Sequence, residues 1–358
     1  MSAAPARPSG PLAQIFARLI ASTGPISLMH YMGEANARYY ASRDPLGADG
    51  DFITAPEISQ MFGELIGVWL ADLWIRAGRP GPAHYVELGP GRGTLARDAL
   101  AAAARHGLAP DVHLVESSAA LRAVQQAALP GAQWHHDLGS VPLDGPVLIV
   151  ANEFFDALPI RQLVKTEDGW RERMVGTEQG RLLAVAGSLP MDAALPEARR
   201  DAPIGTIVET CPGAAAVAGE IAGRLAVQGG AALLIDYGYD QPRTGSSLQA
   251  VRAHRKVDPF AAPGDCDLTA HVDFAELAEA AKARGARWLG TVPQGQWLRD
   301  LGIETRADKL SASGPKQADA LQAGMQRLIG DDQMGLLFKV MGLVAPGWPV
   351  GAAFSPDR

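Results

Sequence analysis

Leu12, Ile15, Phe16, Leu19 and Ile20 recur at i, i+3, i+4, i+7 and i+8, a spacing that predicts one apolar face of a helix. Ser27 stands where it would cap a second helix running to about Tyr40. The stretch "SRDPLGADGDFITAPEIS", rich in Gly, Asp and Pro, reads as a loop. Pro56 or a neighbour then opens one long helix, "EISQMFGELIGVWLADLWIRAG", closed by Gly78 and followed by Pro80.

From residue 84 the pattern alternates between strand and helix. "HYVELG", "DVHLVESS", "AQWHHDL" and "PVLIVANEFF" read as strands, with "TLARDALAAAARHG" and "AALRAVQQAAL" as helices between the first three. The near-continuous apolar run of the fourth strand suits a strand covered on both faces. Alternation of this kind implies an α/β fold with a parallel sheet and right-handed crossovers. Residues 160–205 break the rhythm: two Gly-centred turns between alternating runs predict an inserted antiparallel hairpin or meander. The helix "AAAVAGEIAGRLAVQ" and the strand "GAALLIDYGY" follow, then a polar, Gly/Pro-rich segment at 241–270 that reads as loop. The helix "VDFAELAEAAKARG", the strand "ARWLGTV", two helical stretches to about 330 and the strand "LLFKVMGLVA" complete the pattern. The expected organisation is a tail and helical extension at 1–57 and a main domain at 58–358, with insertions at about 160–205 and 241–270.

Composition narrows this picture only a little. The 358 residues carry a net charge of −7, which argues against nucleic acid or an anionic membrane surface as partner. No apolar run is long enough to span a bilayer, and "MSAAPARPSG" lacks the pattern of a leader; it reads as a short disordered tail. Cys211 and Cys266 sit in no CxxC or Cys/His cluster, so neither a disulfide framework nor a metal site is expected. A reducing compartment, the cytoplasm, is the expected location.

The chemistry gathers at strand ends. "YVELGPGRGTLARD" places Glu87 two residues before Gly89, with Pro90, Gly91, Gly93 and Thr94 completing a turn into a helix. A dinucleotide site needs G-x-G-x-x-G, but Thr94 occupies the third glycine's place. A P-loop needs Gly-Lys-Ser/Thr, which is absent. Glycines let backbone approach a ligand closely, and Glu87 at the sheet edge can accept from an ammonium group. S-adenosylmethionine fits these terms; a plain tight turn is the blander reading. Glu116, with Ser117, ends the next strand, where a carboxylate can take both ribose hydroxyls. Asp137 and Leu138 end the third strand, where an acid can accept from an adenine amino group. Asn152 and Glu153 end the fourth.

Six motifs, "GDFITAPEISQMFGE", "VELGPGRGTLARD", "VLIVANEFFDALPIRQ", "LLIDYG", "DLTAHVDF" and "MGLLFKV", run in order between about residues 20 and 345. Together they resemble the MidA-like methyltransferases, which include a mitochondrial complex I assembly factor and bacterial relatives. The resemblance implies a class I methyltransferase (Rossmann-like) fold with a mainly parallel seven-stranded sheet, and S-adenosyl-L-methionine as cofactor. It also implies a protein arginine as acceptor, with a respiratory complex I subunit as the family's studied target. Monomer and homodimer are both left open.

A guanidinium is cationic and a poor nucleophile, so carboxylates must hold and polarise it. Glu153 and Asp156 are the expected pair, with Asn152 serving acceptor or cofactor and Phe154 and Phe155 walling the pocket. Asp156 has a plainer use as a turn cap. Thr54 and Glu57 are placed to fold over the cofactor as a lid; otherwise Thr54 caps the following helix. His271 is read first as a structural histidine and second as a general base. Asp236 and Tyr237 either reach the site or cap a turn, and Gln294 and Trp297, in a mostly buried stretch, are candidates for touching the peptide. The alternatives are a non-catalytic assembly chaperone holding the cofactor, a small-molecule methyltransferase and, disfavoured by Thr94, a nicotinamide oxidoreductase.

Overall fold

All six residues of the strand Val147–Asn152 are buried, which accounts for its lack of polar alternation. It lies in the middle of the larger of two compact units. The computed structural model describes residues 10–42, 53–195, 200–252, 255–313 and 318–354. Residues 1–9 of the expected tail and 43–52 of the expected loop lie outside these.

The larger unit comprises residues 46–155, 215–240 and 272–358. Its main elements are α1 (Ala55–Ile58), α2 (Gln60–Arg76), β1 (His84–Leu88), α3 (Thr94–Ala104), β2 (Asp111–Val115), α4 (Ala119–Ala128), β3 (Gln133–His135), β4 (Val147–Asn152), α5 (Pro212–Gln228, from residue 215 on), β5 (Gly230–Tyr239), α6 (Phe274–Ala283), β6 (Arg287–Pro293), α7 (Gln294–Asp300) and β7 (Phe338–Val344). The strands lie in the order β6-β7-β5-β4-β1-β2-β3. β1 to β5 are mutually parallel, and β7 runs antiparallel to both β5 and β6. The expected mainly parallel seven-stranded sheet is therefore present, lengthened where Val272–Asp273 pairs with Gly238–Tyr239. The chain builds outward from β1 through β2 to β3, then returns to β4 on β1's other side. That reversal makes a switch point between β1 and β4, and ligands of open α/β sheets bind outside the strand ends there.

The single helix expected from Pro56 to Gly78 is two. Ser59 is extended (φ −158°, ψ 133°), and its hydroxyl accepts from the Met61 N–H at 3.3 Å. Serine competes with the helix by offering this local cap, so α1 and α2 meet at a break. α2 packs on α3 almost backbone to backbone: a Cβ at Gly67 would stand 2.0 Å from the Ala99 carbonyl oxygen.

The second unit gathers residues 1–45, 156–214 and 241–271. The sequence set the N-terminal helices apart and treated the other two segments as insertions; here the three fold together. In the helix Pro11–Thr23, Leu12, Phe16 and Ile20 are buried, while Ile15 is 46% exposed, so the apolar face is narrower than its spacing suggested. The Ser27 hydroxyl accepts from the His30 N–H at 3.1 Å, the expected cap. Strands 161–166, 169–178 and 181–190 form the expected antiparallel meander, joined by 207–210 and 26–27. The stretch 241–270 is more than loop: it contains strands 249–252, 255–257 and 267–269. The middle one, Arg255–Val257, is exposed throughout, so no apolar alternation announced it.

Three histidines cross the larger sheet in a hydrogen-bonded file. His84 Nδ1 lies 3.0 Å from His113 Nε2, and His113 Nδ1 lies 2.9 Å from His135 Nε2. His84 Nε2 reaches Asp144 Oδ1 at 3.0 Å, and because that carboxylate only accepts, each ring in turn donates towards Asp144. His113 is fully buried, and burial, then the two neighbouring imidazoles, push it down to about 4. The unfolded chain therefore takes up a proton below about pH 6.5 that the fold refuses. Stability falls as pH drops from 6.5 towards 4, by at most about 1.4 kcal/mol per pH unit for this group. Urea unfolding at pH 7 and pH 5 should show wild type losing about 1–2 kcal/mol more than His113→Asn. Equal losses would mean that His113 does not carry this pH dependence.

Candidate functional site

Side chains alternate along β1, so Tyr85 and Glu87 share a face, and the Tyr85 hydroxyl donates to Glu87 Oε2 at 2.6 Å. Glu87 is 2% exposed, and burial pushes its carboxyl up to about 8, against the opposing effect of the Tyr85 bond. A cationic ligand here would reverse that desolvation cost.

The loop after β1 turns at Gly89, Gly91 and Gly93, with φ of 63°, 52° and 79°. This left-handed region is closed to most side chains, which is why the spacing is glycine at each step. The Gly89 N–H donates to the Val115 carbonyl at 3.0 Å, and the Gly93 N–H to the Pro90 carbonyl at 2.7 Å. A Cβ at Gly89 would stand 3.0 Å from Phe154 Cδ2, so the Phe154 ring lies on the loop, while Phe155 is core.

The segment around α1 is pinned at two points. Glu57 Oε1 accepts from the Thr94 hydroxyl at 2.5 Å, at the start of α3. Glu153 Oε1 accepts from the Ala55 N–H at 3.1 Å. Thr54 makes no side-chain cap, so the cap expected of Thr54 comes instead from a carboxylate almost a hundred residues further along the chain. Glu153 does this from φ +49°, a conformation that costs of order 1–3 kcal/mol and persists only where its surroundings enforce it. Its N–H donates to the Ile235 carbonyl at 2.9 Å, and Asp236 Oδ2 accepts from the Phe155 N–H at 2.9 Å. Asp236 is fully buried and its other oxygen accepts from the Tyr237 N–H, which makes it a staple of this turn.

Asn152 is 8% exposed; its Nδ2 donates to Glu153 Oε1 at 3.2 Å, and its Oδ1 is buried with no partner. Such an atom is costly to leave unsatisfied, so its place at the end of β4 suits a ligand donor. Glu116 is 8% exposed, with Oε1 accepting from the Ser118 N–H at 2.8 Å and Oε2 from Gln125 Nε2 at 3.2 Å. Burial raises its carboxyl, and the Ser118, Gln125 and Ser117 bonds and the Arg122 charge oppose that. Ser117 is exposed beside it. Asp137 is exposed and caps the turn 138–140 through the Ser140 N–H at 3.0 Å, while Leu138 is buried.

Glu87, the glycine loop, Thr94, Glu116, Asp137, Asn152, Glu153 and Thr54 thus all belong to the larger unit. Asp156 opens the other, where its carbonyl accepts from the Ala270 N–H. His271 also lies in that unit: its Nδ1 faces Arg243 Nη1 at 3.0 Å, and burial, then Arg243, hold its pKa below the usual value. Gln294 and Trp297 are both fully buried, so neither is on the surface to touch a peptide. Gln125 and Tyr85 were missed. The sole signals were an amide on the apolar face of a helix and a tyrosine two residues before Glu87. Among the described residues there is no cluster that could hold a metal ion and no helix long and apolar enough to cross a membrane.

A sheet of this order, with a glycine loop and an acid at its switch point, defines an α/β enzyme that holds a nucleoside-bearing cofactor at its strand ends. Residues 65–292 match the model of a family of S-adenosyl-L-methionine-dependent methyltransferases, and the chain belongs to that family. It is 37% identical to the protein arginine methyltransferase NDUFAF7, mitochondrial, of Danio rerio, over 89% of this chain and 83% of that one. The Homo sapiens protein of the same name is 35% identical over 91% and 81%. Among solved structures, a protein of Burkholderia thailandensis bound to S-adenosyl-homocysteine superposes with a TM-score of 0.81 at 30% identity, covering 93% of this chain and 91% of that one. The expected cytoplasmic location is corrected: the curated relatives are mitochondrial proteins.

Proposed function

We propose that this methyltransferase transfers a methyl group to the side chain of a protein arginine. The observation that carries the cofactor half is the buried Glu87 carboxyl on β1 and the unpartnered Asn152 Oδ1 on β4, at neighbouring strand ends beside three left-handed glycines. When bound, S-adenosylmethionine supplies a methyl group on a sulfonium. Glu87 would hold its ammonium, the turn from Gly89 through Pro90, Gly91 and Gly93 to Thr94 its amino-acid part, and Glu116 with Ser117 the ribose. Asp137 and Leu138 would hold the adenine. Asn152 would give its open acceptor to the cofactor's donors. Thr54 and Glu57 would cover it from the strap that Glu153 pins.

The acceptor half rests on the relatives' names and on Glu153. A carboxylate held rigidly at the sheet edge polarises a guanidinium nitrogen and fixes its approach. That nitrogen sheds one proton for each methyl gained, and the guanidinium keeps its charge. Pairing of Asp156 with Glu153 rests on the sequence alone. A respiratory complex I subunit is the candidate acceptor the family resemblance suggests. The test is labelled methyl transfer into a lysate from cells lacking the enzyme, followed by mass spectrometry of the labelled band. Methylarginine in one protein is the expected result. Label confined to small molecules, or a methyl on another side chain, would overturn the arginine assignment.

A further inference from the structure

On α4 only Leu121 and Gln125 are buried, four residues apart on the face turned inward. A fully buried glutamine at an apolar position must use its polar atoms or destabilise the fold. Gln125 uses both. Its Nε2 donates to the Gly91 carbonyl at 2.7 Å and to Glu116 Oε2 at 3.2 Å. Its Oε1 accepts from Trp134 Nε1 at 2.8 Å. The orientation is settled by chemistry: a carbonyl and a carboxylate only accept, and an indole N–H only donates. The stem of the side chain packs where Gly93 has no Cβ; one built there would stand 3.8 Å from Gln125 Cγ.

We propose that Gln125, oriented by Trp134, is a positioning residue that locks the glycine loop to Glu116, so that the cofactor meets both as one preformed surface. This rests on the reading of Glu116 and the loop as cofactor contacts. Gly91 lies at the middle of the turn, where backbone freedom is largest, and Glu116 is on the neighbouring strand's end. Without a crosslink the two can drift apart, and binding must then bring them together at the cost of affinity. The amide also orders Glu116: with Oε1 fixed by the Ser118 N–H and Oε2 by Gln125, the carboxylate plane has one orientation.

The experiment measures S-adenosylhomocysteine binding by calorimetry for wild type, Gln125→Leu, Trp134→Phe, Glu116→Ala and the double variant Glu116→Ala/Gln125→Leu, with thermal unfolding of each. Gln125→Leu should weaken binding about tenfold and Trp134→Phe about threefold, as lost preorganisation. In turnover, Gln125→Leu should raise the cofactor KM and leave the acceptor KM unchanged. The double variant should bind more tightly than the product of the two single losses predicts, because Gln125 acts partly through Glu116. A Gln125→Leu protein that binds within twofold of wild type, or a strictly multiplicative double variant, overturns the inference. If Gln125→Leu does not fold, Trp134→Phe decides: unchanged affinity overturns it. Wild type that binds no S-adenosylhomocysteine would instead bring down the cofactor reading, as would an unchanged Glu116→Ala for the ribose contact.

Discussion

Glu153→Gln should lower methyl transfer about a hundredfold or more while S-adenosylhomocysteine still binds within about threefold of wild type. The substitution keeps an oxygen for the Ala55 N–H and for Asn152 Nδ2, so the strap over the glycine loop stays pinned. The backbone at φ +49° is asked for nothing new. What disappears is the negative charge that would hold and polarise a guanidinium. Single-turnover rates with labelled cofactor and methyl acceptor measure the effect. A Glu153→Gln protein as fast as wild type would reduce Glu153 to the cap of α1 and remove it from the acceptor site.

The second large effect is on pH. Burial holds the Glu87 carboxyl protonated below about pH 8, whereas a ligand ammonium binds the ionised form. Binding therefore expels a proton, and affinity must rise with pH below 8, by about tenfold between pH 6 and pH 7. Calorimetry of S-adenosylhomocysteine in two buffers of different ionisation enthalpy should report release of close to one proton at pH 7. Glu87→Gln should abolish that slope and weaken binding at pH 8 by about 1.5–3 kcal/mol, the usual worth of a bond to a charged group. A flat affinity profile in wild type would show that Glu87 does not meet the ammonium.

Much of this edge was readable because the residues that carry it are tied to strand ends. β1 to β4 announced themselves by alternation with helices, and the acids and Asn152 follow each strand directly. Three glycines in left-handed backbone leave a spacing that few other demands produce. What stayed hidden depended on partners distant in sequence. Nothing near Thr54 says that its helix is capped by Glu153. Asp236 was equally fit to reach the site or to cap a turn, and nothing near it in sequence announces its bond to the Phe155 N–H. Gln125 showed only as an amide on the apolar face of its helix; the bonds it makes need Gly91, Glu116 and Trp134 in view at once. The small sheet in 241–270 escaped for a different reason. Strands as short and exposed as Arg255–Val257 bury too little to leave an apolar period.

The place of β7 has a consequence for how the protein is made. β7 (338–344) lies between β5 (230–239) and β6 (287–293), although it is synthesised after both. A nascent chain carrying β5 and β6 cannot join them edge to edge in the native way. About fifty residues separate the end of β6 from the end of β7, and at roughly 5–20 residues per second the ribosome needs about three to ten seconds to supply them. During that interval the apolar edge of β5 offers unpaired backbone to any strand that reaches it. This sheet therefore leaves an inner edge open during synthesis for longer than one whose strands emerge in spatial order.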